Sequence, residues 1–579
     1  MARKYSEPQG QRRPAITSPE ECTVTDYFDA VVIGGGHHAT IIAPYLARAG
    51  LSVAVFEERP HLGGGAQSMP GPAKGVTQNP CAHWTRFYGH PAYRDFALGD
   101  LGLQYVFPEG NEAMVFDDGS VFVGYSAAKV VDATGRAEPW DEGVARTEAN
   151  IRAFSQRDAD TYLRVHEAYS AHIKSAFGRQ RFSPPTPWGT PDALEELIGA
   201  PGSIIEPVHQ FMTMRQLAYD LFESDELRTL FMRAAVTSTG CYPDDVPGLQ
   251  GFIHNLALVL SLEPAAIAIG GTGAITEALV KAGRLRGVQY FTGTRVDEIV
   301  QEGGKATGVR VAGGTFVGAG IVVSDLGMPQ TVLQLLRNGE VAARIRHRIR
   351  NIVYDRGQLV WANVVTHEAP DYASTTGVAE AGQQPRLYWG PKDPDWFATR
   401  YQAHIFTEGI SPKMLMLSST DSQWDTTRAP GDLHVTGIEE FTAPLRFFDS
   451  DGWASLEREF DRRIREQWPT YASNMTEDNI VAIEWFLPPR VNRTHPDMVE
   501  GGYVEGAHLA SQLGRFRPIP ELAGYRTILP NLYNCSSNVH SGSGIGRGSS
   551  VNCWHQIAED LGIDPNADVR QPDPSLLVA

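Results

Sequence analysis

The stretch from Phe28 to Gly65 constrains the fold of this chain more than any other. Asp29-Ala30-Val31-Val32-Ile33 is a short apolar run rich in β-branched residues, the pattern of a strand buried on both faces. Gly34-Gly35-Gly36-His37-His38-Ala39 follows, with Gly34, Gly36 and Ala39 on the spacing G-x-G-x-x-[G/A]. Gly34 permits the tight turn, Gly36 lets the backbone approach a pyrophosphate, and Ala39 lets the next helix pack on its strand. That helix offers unpaired N–H groups and a positive dipole end to phosphates. A second strand, Ser52 to Phe56, ends at Glu57, where an acidic residue binds ribose hydroxyls. A glycine turn alone serves packing as readily as binding. The strand, helix and terminal acid together specify a nucleotide-binding βαβ unit.

Six residues after Glu57 comes a second glycine turn, Gly63-Gly64-Gly65. Paired glycines at this offset resemble the second FAD fingerprint of the glutathione-reductase and amine-oxidase flavoproteins. Glu57 disfavours NADP, because it would repel a 2′-phosphate, but does not separate NAD from FAD. The second turn selects FAD.

The chain has 579 residues, 42% of them hydrophobic, enough for two or three cores. A net charge of −18 with no basic domain argues against a nucleic-acid partner. No run is apolar enough to span a bilayer. Residues 1–26 are polar without an apolar centre, which predicts a flexible tail rather than a secretory signal. The five cysteines, Cys22, Cys81, Cys241, Cys535 and Cys553, form no C-x-x-C pair. That predicts no metal site and no disulfide framework, and fits a reducing cytoplasm.

Beyond Gly65, the segment Thr77 to Trp84 leads toward the expected flavin. His83 and Trp84 would face the ring, or His83 is an ordinary hydrogen-bonding histidine. Residues 112–125 alternate about Asp118-Gly119, a hairpin. Helical patterns over 147–177 and 203–235 predict an inserted, largely helical lobe in which Met212 and Met214 are core fillers. Residues 252–269 read as a buried helix, a bend and a strand, or as the wall of a lipophilic pocket.

The run Gly270-Gly271-Thr272-Gly273 returns to a glycine turn before a helix. It is followed by a strand from Thr294 to Ile299, a hairpin from 300 to 311, and Ile321-Val322-Val323-Ser324-Asp325. This block resembles the phytoene desaturase family, in the branch of carotenoid isomerase, retinol saturase and the phytoene-dehydrogenase-related flavoproteins. The resemblance implies that the block rejoins the FAD domain and that the backbone of Val296 meets the adenine. Near the C-terminus, Leu532 to Ile545 is similar to the family's closing motif, with Ser536 in place of its first glycine and Ser541 in place of its proline. There the strand ends against the flavin, and a turn carrying Gly542, Gly544 and Ile545 opens a helix toward the pyrophosphate and ribityl chain. His540, at that junction, is the candidate polar group beside the flavin, or else it only ties down the turn.

The expected fold is α/β. A Rossmann-like FAD-binding domain is assembled from residues 27–110, 256–340 and 501–579, and a discontinuous α+β substrate domain from 111–255 and 341–500. The expected activity is FAD-dependent dehydrogenation at C–C bonds of a hydrophobic terpenoid, carotenoid or alicyclic substrate. The alternatives are a redox-neutral double-bond isomerase, a saturase, or a flavoprotein subunit with structural FAD. The protein is expected in the cytoplasm. Arg344, Arg346, Arg348 and Arg350 read as a solvated face or as a patch for peripheral contact with anionic lipid.

Overall fold

The structure, a computed structural model, describes residues 27–83, 85–337 and 341–577. The N-terminal tail, Cys22 and Trp84, named above, lie outside the described residues. The first strand, Tyr27–Ile33, sits in a seven-stranded sheet. Val53–Phe56 and then Gln289–Phe291 pair parallel on one side of it. Phe316–Ser324 pairs parallel on the other side. Its far half pairs parallel with Leu532–Asn534, and its near half turns antiparallel through Lys305–Val311 to Val296–Glu302.

Register explains why a site forms here. Ile33 lies opposite both Phe56 and Ser324, and Ser324 lies opposite Asn534. Four parallel strands therefore end level, and Gly34, Glu57, Asp325 and Cys535 emerge along one edge. The carboxyl edge of such a sheet is where ligands bind. Helices His37–Arg48, Gly273–Arg284 and Ser549–Leu561 cover one face of the sheet. Ala30, Val31 and Val32 are wholly buried, as their unbroken apolar run requires.

A second seven-stranded sheet runs Ile480–Phe486, Leu359–Thr366, His434–Phe441, Met416–Ser419, Arg386–Gly390, Gly110–Phe116, Val121–Tyr125. All its pairings are antiparallel except Arg386–Gly390 with Gly110–Phe116. Side chains alternate between two cores. Met114 and Phe116 enter the helical lobe, while Ala113 and Val115 face the helix Ser450–Gln467. That helix presents Trp453, Leu456, Phe460 and Ile464 as one apolar stripe. The lobe comprises helices from Asp141–Arg152 through Asp225–Thr239, with Gly248–Val259 closing it before the short strand Ile267–Ala268.

Among the described residues no helix is long and apolar enough to cross a membrane. In the arginine-rich helix Ala343–Arg350, Arg344 and Arg348 both pair with Glu521, at 3.1 and 2.7 Å.

Candidate functional site

Two cavities meet at the carboxyl edge of the first sheet. The first, of about 270 Å³, is lined by Gly34, Gly36, Glu57, Gly64, Val296 and Asp325, among others. Gly34 takes φ +87°, a left-handed turn that favours glycine. The N–H of Gly35 donates to Glu57 Oε2 at 2.7 Å, and that of Arg59 to Oε1 at 2.8 Å. Burial raises the Glu57 carboxyl, and these two donors with the Arg59 charge oppose the rise. The N–H of Gly63 donates to the carbonyl of Gly35 at 2.7 Å, so the second glycine turn is fastened to the first. A Cβ on Gly63 would sit 2.6 Å from the carbonyl oxygen of Ala66 and from Thr276 Oγ1.

Gly36 caps the helix His37–Arg48, and the N–H of Ala39 in its first turn donates to Asp325 Oδ2 at 2.9 Å. The N–H groups of His37 and His38 have no acceptor within the helix and remain for a ligand. Burial raises the Asp325 carboxyl well above the ordinary range, which limits the negative charge it brings to the helix end.

The second cavity, of about 260 Å³, continues from the first, and His37, Gly65, Met498, Glu505 and Ser537 line both. Its apolar wall includes Phe177, Ala257, Leu258, Leu359 and Trp361. Several polar atoms here are buried with no partner: both ring nitrogens of His83, Nε2 of His37, and Nη1 of Arg547. Burial lowers His83 to about 3 and His37 to about 4, so both rings are neutral at ordinary pH. Arg517 holds the loop between the cavities by donating to the carbonyls of Val504, Glu505, Gly506 and Ser537. That loop carries Glu505, whose carboxyl is raised by burial and by the nearby Asp497.

These residues fit FAD. The glycine cradle, the acid at the end of the second strand and the unused helix N–H groups suit its adenosine diphosphate half. The continuous second cavity, with unpartnered polar atoms on its wall, suits the flavin ring and a substrate above it.

The predicted site residues divide. Gly34, Gly36, Glu57, Gly64 and Val296 line the first cavity, and Gly65 lines both. Gly63 and Ala39 lie behind it, one bracing the turns and the other donating to Asp325. His83, Gly544 and Ile545 line the second cavity, so the closing turn faces that chamber rather than the glycine cradle. Gly542 packs instead against His508, whose Nε2 a Cβ would meet at 3.0 Å.

Of the two readings of His540, the one beside the flavin finds no support in the lining of either cavity, which does not include it. Its ring is buried, its Nε2 donates to the carbonyl of Gln180 at 2.8 Å, and it borders a separate cavity of about 180 Å³. The acceptor belongs to the lobe helix Lys174–Arg181, which holds the ring away from the second cavity. Residues not singled out from the sequence complete the site: His37, Arg59, Asp497 and Glu505 at the cleft, and Arg181, Glu263, Tyr503 and Arg547 in the chamber. A terminal acid on a buried strand was the available signal for Asp325. The others come from loops and helices that local pattern does not tie to the site.

Comparison with known proteins agrees with this geometry. The model of the flavin-containing amine oxidoreductases matches residues 41–367. The mouse protein called pyridine nucleotide-disulfide oxidoreductase domain-containing protein 2 is 23% identical over 573 residues, covering 92% of this chain and 94% of its own. A limonene dehydrogenase subunit of Castellaniella defragrans is 22% identical over 554 residues, covering 93% of this chain and 95% of its own. The phytoene desaturase of Fusarium fujikuroi is 26% identical over 322 residues, covering 55% and 52%. Among solved structures, putrescine oxidase bound to putrescine superposes with a TM-score of 0.56 at 15% identity, covering 92% of this chain and 99% of its own, which shows a shared fold. The chain belongs to the flavin-containing amine oxidoreductase family and is an FAD-dependent oxidoreductase.

Proposed function

We propose that the protein dehydrogenates a carbon–carbon bond of a small, largely apolar substrate held in the second cavity. The observation that carries this reading is the apolar wall of Phe177, Ala257, Leu258, Leu359 and Trp361 in the cavity that Gly65 and His83 also line. FAD, when bound, supplies the two-electron redox chemistry. The chain binds and orients the substrate and excludes water, which favours C–H chemistry in a dry, close-fitting site. His83, neutral and with both nitrogens free of protein partners, offers one donor and one acceptor to the ring or substrate. The names of two relatives, a limonene dehydrogenase subunit and a phytoene desaturase, lend support to a hydrophobic substrate.

The test is anaerobic. Holoenzyme is mixed with an alicyclic terpene, an acyclic polyene or a primary amine, and bleaching of the flavin absorbance is followed. Bleaching by a terpene or polyene with formation of a new double bond supports the reading. Bleaching by the amine alone refutes it. Double-bond migration without bleaching would assign the isomerase alternative, and turnover only with chemically reduced flavin the saturase.

A further inference from the structure

We propose that Arg181 and Arg547 form a subsite for an anionic group, a carboxylate carried by an otherwise apolar substrate. This deepens the function proposed above and rests on it for the place of the substrate.

Both guanidinium groups border the second cavity and neither borders the glycine cradle. Arg547 is only 6% exposed, and its Nη1 has no hydrogen-bond partner. The Nε of Arg181 is likewise buried and unpartnered. Its guanidinium stacks over Phe177 at 4.5 Å, which fixes its plane without neutralising its charge. A buried guanidinium N–H left without an acceptor is costly, and a ligand oxygen reaching these two nitrogens would satisfy them.

The surrounding charges sharpen the case. Burial and the guanidinium groups of Arg181 and Arg517 bring Arg547 down to about 9. His254 is held neutral by burial and by Arg547, Arg181 and Arg86. The nearby acid is Glu263, whose Oε1 accepts from the hydroxyl of Tyr169 at 2.7 Å. Burial alone would raise Glu263, but Arg86 and Arg181 hold it below its ordinary value. Glu263 thus faces Arg181 from the same cavity, and Glu439 and Glu505 are the other carboxylates that line it. Elsewhere on the same cavity Arg386 has a protein partner, donating to the buried Glu112 at 2.7 Å. Phe177 packs on Arg181, and Ala257 and Leu258 line the same cavity, so a ligand anchored at the arginines has apolar wall to lie along. Planar guanidinium groups are suited to carboxylate recognition.

The experiment titrates purified holoenzyme with decanoate and with 1-decanol, by calorimetry and by perturbation of the flavin spectrum. Decanoate should bind at least about tenfold more tightly than decanol. Arg181→Gln should weaken decanoate by about tenfold to a hundredfold and leave decanol and flavin content nearly unchanged. Arg181→Lys, which keeps the charge but loses the planar fork, should fall between, and it serves if the glutamine variant does not fold. Equal affinity for the two probes overturns the proposal. So does an unchanged preference for decanoate in both Arg181→Gln and Arg547→Gln. Loss of flavin from Arg547→Gln with carboxylate preference intact in Arg181→Gln also overturns it, and assigns the cations to the flavin. A terpene or polyene that never bleaches the flavin, while decanoate discrimination holds, would overturn the proposed reaction and leave the subsite standing.

Discussion

Gly36→Val tests the glycine cradle directly. A Cβ at position 36 would lie 2.5 Å from Asp325 Oδ2, closer than two such atoms approach. Asp325 would have to swing away and release the N–H of Ala39, a lost cap worth about 1 kcal/mol. The larger effect falls on the ligand. The branched side chain would stand between the pyrophosphate and the first-turn N–H groups of His37 and His38. Hydrogen bonds to a charged group contribute about 1.5–3 kcal/mol each. Losing two raises the FAD dissociation constant by roughly a hundredfold to ten-thousandfold. The assay titrates apo-protein with FAD and follows quenching of flavin fluorescence. Urea unfolding of the apo-protein reports the cap separately. Asp325→Asn is the control, since the amide oxygen still accepts from Ala39 and nothing is added to the cleft. It should bind FAD within about threefold of wild type, a change of under 1 kcal/mol. Gly36→Val with near-normal FAD affinity would refute the placement of the phosphates.

His540→Ala should lower stability by about 1–3 kcal/mol through loss of the buried bond to Gln180, with turnover per bound flavin unchanged. A fall of about a hundredfold in turnover per flavin would return His540 to the reacting groups. Burial raises Glu112 to about 7 even with Arg386 beside it, so the fold favours its protonated form. Its contribution is fully present below the unfolded carboxyl value of about 4.3, and is lost as pH rises through 7. Arg386→Met should therefore cost about 3–5 kcal/mol at alkaline pH and less in acid, and Glu112→Gln should flatten the pH dependence in urea melts. Because burial lowers His83 to about 3, the pH–rate profiles of wild type and His83→Asn should share one shape across the neutral range. A limb near neutrality that vanishes in the variant would show the ring titrating.

The nucleotide half of the site was legible because its information is local. A buried strand, a glycine turn and a terminal acid lie within one βαβ unit, and sheet register does the rest. Val296 was placed by resemblance to a family, and it borders the cleft. The chamber was not legible in the same way. Arg181 ends a lobe helix and Arg547 follows the closing turn, and only packing between these segments brings them together. His540 shows the limit of arguing from a strand end. Leu532–Asn534 is the parallel strand expected, but the direction of the following side chains depends on Gln180, some 360 residues earlier. The strands Arg386–Gly390 and Ile480–Phe486 were not singled out, because each is defined by partners distant in sequence.

The level strand ends carry a consequence for how the protein is made. Tyr27–Ile33 gains its inner neighbour only when Phe316–Ser324 arrives, and the far half of that strand stays open on its other side until Leu532–Asn534 pairs with it. Such distant pairings make folding slow, since long loops must close before the contacts reward them. The complete sheet edge therefore forms only after segments some 290 and some 210 residues apart have met. The two cavities are lined by segments remote in sequence, so FAD held there would join them as a reversible clasp. Protease sensitivity of the flavin-free protein should then appear in the sheet edge, the closing turn and the lobe at once.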